Sequence, residues 1–253
     1  MSLLSIFLTI LAIVFIIMLI RYLFYDPYTL TGTLDASVQT IIAPSSLATN
    51  GSSVPQTNFA YSIWFFVNDW NVQFGRPKVL FANMLPQNSS VSDPTSIPQI
   101  GGQNPCPTVV LGAYTNDLTI YVTSFPNNNS GTSTAVLNTF NVSNIPIQKW
   151  VNLIVSVYGT TLDAYIDGKL VSTFILNGIA KVNSGNSVFL TPLGGFNGFT
   201  ARFQYFPNPL NPQDAWNIYR DGYGANFLSS LLGSYQLQVA LINNGVVQNK
   251  LTV

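Results

Sequence analysis

The chain has 253 residues, zero formal net charge, and only 7% charged residues, against about 25% in an ordinary soluble domain. Without a basic patch to neutralise phosphates, nucleic-acid binding is excluded as a function class. Histidine is absent, which removes Ser-His-Asp and Cys-His nucleophilic machinery, and with a single cysteine, Cys106, it removes zinc sites as well. One cysteine also rules out an internal disulfide, so stability must come from a packed core. Cys106 sits in Asn104-Pro105-Cys106-Pro107 with no base to activate it and reads as a structural thiol. A surface this poor in charge suits a protein packed against neighbours, because interface cores are depleted of charged groups.

The first predicted element is a membrane anchor over residues 1–25. Leu3, Leu4, Ile6, Phe7, Leu8, Ile10, Leu11, Ile13, Val14, Phe15, Ile16, Ile17, Leu19 and Ile20 lie in an uncharged run. As a helix that run spans roughly 27 Å, close to a hydrocarbon core. Arg21 is placed to snorkel to the headgroups, and Tyr22, Tyr25 and Tyr28 form an interfacial belt. A cleaved signal peptide needs a basic start, a shorter apolar run and small residues at the cut, and none is present. Arg21 on the domain side puts the domain on the cytoplasmic face. The triplets at Asn50, Asn88, Asn128 and Asn141 have the form of glycosylation acceptors, which would argue for a lumenal face, but a chain this rich in Asn, Ser and Thr generates such triplets by chance.

Residues 26–57 read as a polar linker with one strand, Ser37 to Ala43, and residues 58–253 as the main domain. Strands are predicted at Phe59 to Val67 and Val79 to Met84, followed by a proline-rich loop over 85–107. Val109 to Ala113 and Leu118 to Thr123 form a predicted hairpin, with Leu118, Ile120 and Val122 facing in and Thr119, Tyr121 and Thr123 facing out. Val136 to Val142 follows. Trp150 to Leu176 reads as a three-strand meander turning at Gly159-Thr160 and at Asp167-Gly168, a two-residue hairpin signal. Two more strands are predicted, Ser187 to Thr191 and Phe199 to Phe206. A helix then begins at the cap Asn211, with Pro212 in its first turn, Asp214 at the third position and Arg220 near its end; Gly222 stops it. Tyr235 to Val253 reads as two strands around Asn243-Asn244-Gly245. The sum is an all-β sandwich behind one transmembrane helix.

The segment Trp150 to Val171, with its Tyr165-Ile166-Asp167-Gly168-Lys169 hairpin, resembles the centre of concanavalin A-like, laminin G-like jelly rolls. So do the aromatic strand Tyr61-Ser62-Ile63-Trp64-Phe65 and the late stretch Gly195 to Trp216. The resemblance covers about residues 57–225 and implies a jelly-roll fold. Together with the anchor and the low charge, Phe203 to Gly224 is similar to virion membrane or minor capsid proteins of large DNA viruses of algae, of the chlorovirus kind. That resemblance implies a structural virion protein at the interface of internal membrane and capsid, with a lipid bilayer and other capsid or membrane-associated proteins as partners. The alternative is a membrane-tethered lectin-like or adhesion module whose partners are glycans.

An enzyme is not expected. Glycoside hydrolysis normally needs two carboxylates about 5–9.5 Å apart, the glucanase branch of the fold uses glutamates, and this chain has none. Asp163 and Asp167 are four residues apart, roughly 13 Å along a strand. No cofactor is expected either. Calcium, bound by oxygens, is compatible with Asp69 and Asn71 or with Asn116 and Asp117, but turn residues have the same composition. The candidate glycan or partner contacts are Asp69, Trp70, Asn71, Tyr114, Asn116 and Asp117, which set aromatic rings beside amides and carboxylates on two predicted loops.

Overall fold

The computed structural model describes residues 26–47, 57–84, 104–126, 135–182 and 185–224, the backbone of 238–243 and 246–252, and Leu11, Ala12, Phe15, Ile16 and Met18. Those last five are helical. Among the described residues no helix is long and apolar enough to cross a membrane. The rest of the expected anchor, Arg21 included, lies outside the described residues, as do Tyr22 and Tyr25.

Residues 28–223 form one compact unit. Its strands, in chain order, are β1 (Thr29–Thr31), β2 (Leu34–Asp35), β3 (Thr40–Ile42), β4 (Phe59–Asp69), β5 (Lys78–Met84), β6 (Thr108–Leu111), β7 (Leu118–Ser124), β8 (Val136–Val142), β9 (Trp150–Tyr158), β10 (Thr161–Ile166), β11 (Lys169–Ile175), β12 (Ser187–Leu190) and β13 (Asn197–Phe206). Helix α1 (Pro212–Asp221) follows. A separate hairpin, β14 (Gln238–Asn243) with β15 (Val246–Thr252), matches the two strands expected of the tail.

Two antiparallel sheets make a sandwich. One is ordered β1-β13-β4-β9-β10-β11, with β2 also on β13; the other is ordered β3-β12-β5-β6-β7-β8. The alternation of β4 explains the layering. Phe59, Tyr61, Ile63, Phe65 and Val67 enter the main core with Val151, Leu153, Val155 and Val157 of β9 and Leu80, Val109, Leu118 and Ile120 of the facing sheet. Tyr61, Phe81 and Phe203 bridge the layers, their ring centroids 5.2–5.7 Å apart.

The opposite side chains of the first sheet are covered by α1. Ala215 and Ile218 pack on Ala60, Ile154, Tyr165 and Phe206. Around them runs a row of rings: Phe66, Trp150, Tyr223, Trp64, Tyr219 and Trp216. The helix starts where the sequence places it. Asn211 accepts from Asp214 N at 2.9 Å and the Asp214 carboxylate accepts from Asn211 N at 3.2 Å, a reciprocal cap. Asp167 and Gly168 have φ of 50° and 73°, as a tight hairpin turn requires.

Three expectations change. The stretch read as a linker with one strand supplies three, because β1 and β2 pair with β13 and β3 pairs with β12. Tyr121 and Thr123, expected to face out, are buried; Tyr121 belongs to a small cluster with Val79, Ala82 and Val110 on the second sheet. Tyr28, expected in a lipid-interface belt, lays its ring against Phe206 at 4.8 Å.

Candidate functional site

The antiparallel registers put the β4–β5, β6–β7, β8–β9, β10–β11 and β12–β13 connections at one end of the sandwich. Both candidate loops sit there. Asp69 closes β4, and its Oδ1 accepts from the backbone N of Asn71 at 2.9 Å and from Asn71 Nδ2 at 3.1 Å. Asn71 thus turns donors toward the carboxylate, which is the geometry of an Asx turn rather than of two oxygens converging on a cation. Among the described residues no group of three His, Cys, Asp or Glu is placed to hold a metal.

The chain then doubles back through Val72, Gln73 and Phe74. Gly75 N donates to Ala113 O at 3.1 Å, which ties this loop to the one carrying Tyr114. The consequence is an aromatic pair: Phe74 and Tyr114 meet edge to face with centroids 5.5 Å apart, and they are 57% and 67% exposed. Gln73 Nε2 donates to Gly194 O at 2.9 Å, bringing the β12–β13 connection and the exposed Leu193 to the same surface.

The other candidates hold this end together. Trp70 packs against the core, with the Lys78 ammonium 4.4 Å from its ring centre. Lys78 is buried, and Nζ donates to Gln73 O at 3.4 Å. Desolvation holds its pKa below the ordinary lysine value. Asn116 binds Ile145 twice, through Nδ2 to Ile145 O at 3.0 Å and from Ile145 N to its own O at 2.8 Å. The Asp117 carboxylate accepts from Thr115 Oγ1 at 2.9 Å and from Asn144 N at 3.3 Å.

The structure therefore brings all six candidate residues to one end and divides them by role. Asp69, Asn71 and Tyr114 border the open surface, whereas Trp70, Asn116 and Asp117 are struts beneath or beside it. Phe74, the second exposed ring, was missed by the sequence reading. The available signal was two apolar residues, Val72 and Phe74, inside a turn with no strand to bury them.

Asp163 and Asp167 serve the hairpins. Asp163 accepts from Thr173 Oγ1 at 2.6 Å, and Asp167 accepts from Asn152 N and pairs with Lys149, both at 3.0 Å. Burial pushes the Cys106 thiol up to about 12.

No family model matches the chain, and no curated protein matches its sequence. Similar solved structures include the receptor binding domain of botulinum neurotoxin D, at 12% identity and a TM-score of 0.52, covering 76% of this chain and 44% of that one. The binding domain of botulinum neurotoxin serotype D/C is similar at 15% identity and a TM-score of 0.50, covering 75% of this chain and 43% of that one. The chain thus spans less than half the length of the domains it matches. At these identities the likeness shows the fold, a jelly-roll-like β-sandwich of two antiparallel sheets carrying one helix.

Proposed function

We propose that the sandwich is a glycan-recognition module whose contact surface is the Phe74–Tyr114 end, presented from a bilayer by residues 1–25. The observation that carries the reading is the pairing of two exposed rings from separate loops beside the Asp69–Asn71 turn. Exposed aromatic clusters rimmed by polar groups mark interaction sites. A ring face takes the C–H face of a sugar, while an amide and a carboxylate at its edge meet the hydroxyls. The matched solved structures are named as binding domains, one of them as a receptor binding domain, which supports the same class of role here.

A glycan array probed with the full chain in detergent tests this. Binding to a defined set of glycans, lost in Tyr114→Ala and Phe74→Ala while the unfolding midpoint holds, is the expected result. An array without hits, or hits indifferent to both substitutions, refutes it.

The second reading is the structural virion role, tying an internal membrane to a capsid shell. It is favoured by the exposed apolar side chains of β11, Leu170, Val171 and Ile175, in a chain with 7% charge. Co-purification with virions, and release by detergent alone, is its test.

A further inference from the structure

We propose that the groove between the end of β13 and α1 is a second saccharide site that takes a neutral pyranose. The groove encloses about 340 Å³ and is bordered by Tyr28, Phe206, Asn208, Leu210, Asp214 and Asn217. Volumes of a few hundred Å³ are those of small-ligand sites.

Its walls are held in place before any ligand arrives. Leu210 N donates to Ser156 Oγ at 2.9 Å, and the same hydroxyl donates to Leu210 O at 3.2 Å, which pins the 207–210 segment to β9. Pro207 and Pro209 fix two backbone φ angles in that segment. The reciprocal cap between Asn211 and Asp214 fixes the first turn of α1. A preorganised wall lowers the ordering cost of binding.

The chemistry of the lining selects the ligand. Tyr28 is 43% exposed, its ring lies against Phe206, and it borders the groove as the aromatic wall a pyranose would meet. Asp214 and Asn217 are half-buried and Asn208 is exposed. The cap uses one of about four lone-pair sites on the Asp214 carboxylate. Asn217 Oδ1 accepts from Gln213 Nε2 at 3.2 Å, which leaves its amide hydrogens to donate. Acceptors on Asp214 and donors on Asn208 and Asn217 match vicinal hydroxyls, each of which both donates and accepts. No cation borders the groove and its one charge is a carboxylate, so phosphorylated or acidic ligands are disfavoured.

The site is separate from the loop end. Along β4 and β13 the register runs from Asn197 opposite Asp69 to Phe206 opposite Ala60. Nine residue steps put roughly 30 Å between the two ends.

Saturation-transfer NMR on the full chain, with methyl α-glucopyranoside, methyl α-mannopyranoside and methyl β-galactopyranoside as probes, tests the proposal. The expected result is transfer to at least one probe, with Kd raised at least tenfold by Tyr28→Ala and by Asn217→Ala. Tyr114→Ala leaves this signal unchanged, which separates the groove from the loop-end reading. Asn217→Ala sits on a helix surface and favours helix, so it keeps the test valid should Tyr28→Ala fold poorly. The proposal is overturned by silence from all three probes, by transfer that survives both groove substitutions, or by binding of a lysine-rich peptide in place of the sugars.

Discussion

Adding one methyl group at Gly168 should detach α1 from the sheet it covers. Gly168 sits at φ 73°, and a Cβ there would lie 2.8 Å from Tyr219 Cβ and 3.2 Å from Trp216 Cα. The left-handed conformation costs an L-residue about 1–2 kcal/mol. Forcing a methyl group against helix backbone adds about 1–3 kcal/mol, typical of overpacking. Gly168→Ala should therefore lose about 2–5 kcal/mol, a large part of the roughly 5–15 kcal/mol that holds a domain folded. Gly159 is the control. Its φ is 58°, but nothing lies within 4 Å of its would-be Cβ. Gly159→Ala should lose only the conformational share, about 1–2 kcal/mol. Equilibrium urea unfolding followed by tryptophan fluorescence measures both, since Trp216 belongs to the helix and Trp64 and Trp150 lie in the ring row beside it. Equal losses in the two variants would refute the packing of α1 on the β10–β11 turn.

Ser156→Ala breaks both hydrogen bonds to Leu210 and should cost about 1–3 kcal/mol, read by urea titration, because it leaves a backbone N–H without its partner. Cys106 is buried with its thiol pushed up to about 12, so a disulfide reagent at pH 8 should label it only after denaturant is added; prompt labelling of the folded chain contradicts its placement. Burial also raises Tyr61, and it pushes Tyr165, with Asp163 beside it, up to about 12. A raised folded pKa gives stability that is whole below pH 10 and is lost as pH climbs through the folded value; unfolding midpoints should fall between pH 10 and 12, and less steeply in Tyr165→Phe. Lys78 has the opposite sign. Its folded pKa is lowered, so the charged form costs stability at neutral pH and the cost lifts as pH rises toward 10.5. Lys78→Met should be neutral or stabilising at pH 7, and a loss above about 1 kcal/mol would show that the contacts with Trp70 and Gln73 outweigh desolvation.

Where local rules and burial agree, the chain was readable before its fold was known. Val136–Val142, the meander from Trp150 and the capped helix at Asn211 fall at or within one or two residues of their expected limits. Each carries period-two alternation, a two-residue turn or a cap. Strand β3 falls inside the strand expected over Ser37 to Ala43. Strands β1 and β2 carry none of these signals. They have three and two residues and exist because β13 offers them a free edge, information that lies more than a hundred residues away. Tyr121 broke its alternation for a related reason, since the outer side of its sheet packs a cluster of its own. At the candidate site the composition of Asp69-Trp70-Asn71 and Tyr114 to Asp117 picked out two loops that the fold gathers at one end of the sandwich. It could not separate exposed from supporting residues, because that depends on which loop lies across which. Tyr114 stands exposed where the Gly75–Ala113 bond ties the two loops together, and Trp70 packs against the core with the Lys78 ammonium over its ring.

The ring row beneath α1 also makes the protein its own optical gauge. Trp150 and Tyr223 lie nearly parallel, 11° apart with centroids at 4.3 Å, and Trp64 and Tyr219 lie 15° apart at 5.6 Å. Chromophores locked at such spacings couple their transitions and give strong near-ultraviolet circular dichroism. Half of each couple belongs to the sheet and half to α1 or the residue just beyond it. The band should therefore fade when the helix lifts, even while the strands stay paired, so that loosening of the cover is visible apart from collapse of the sandwich.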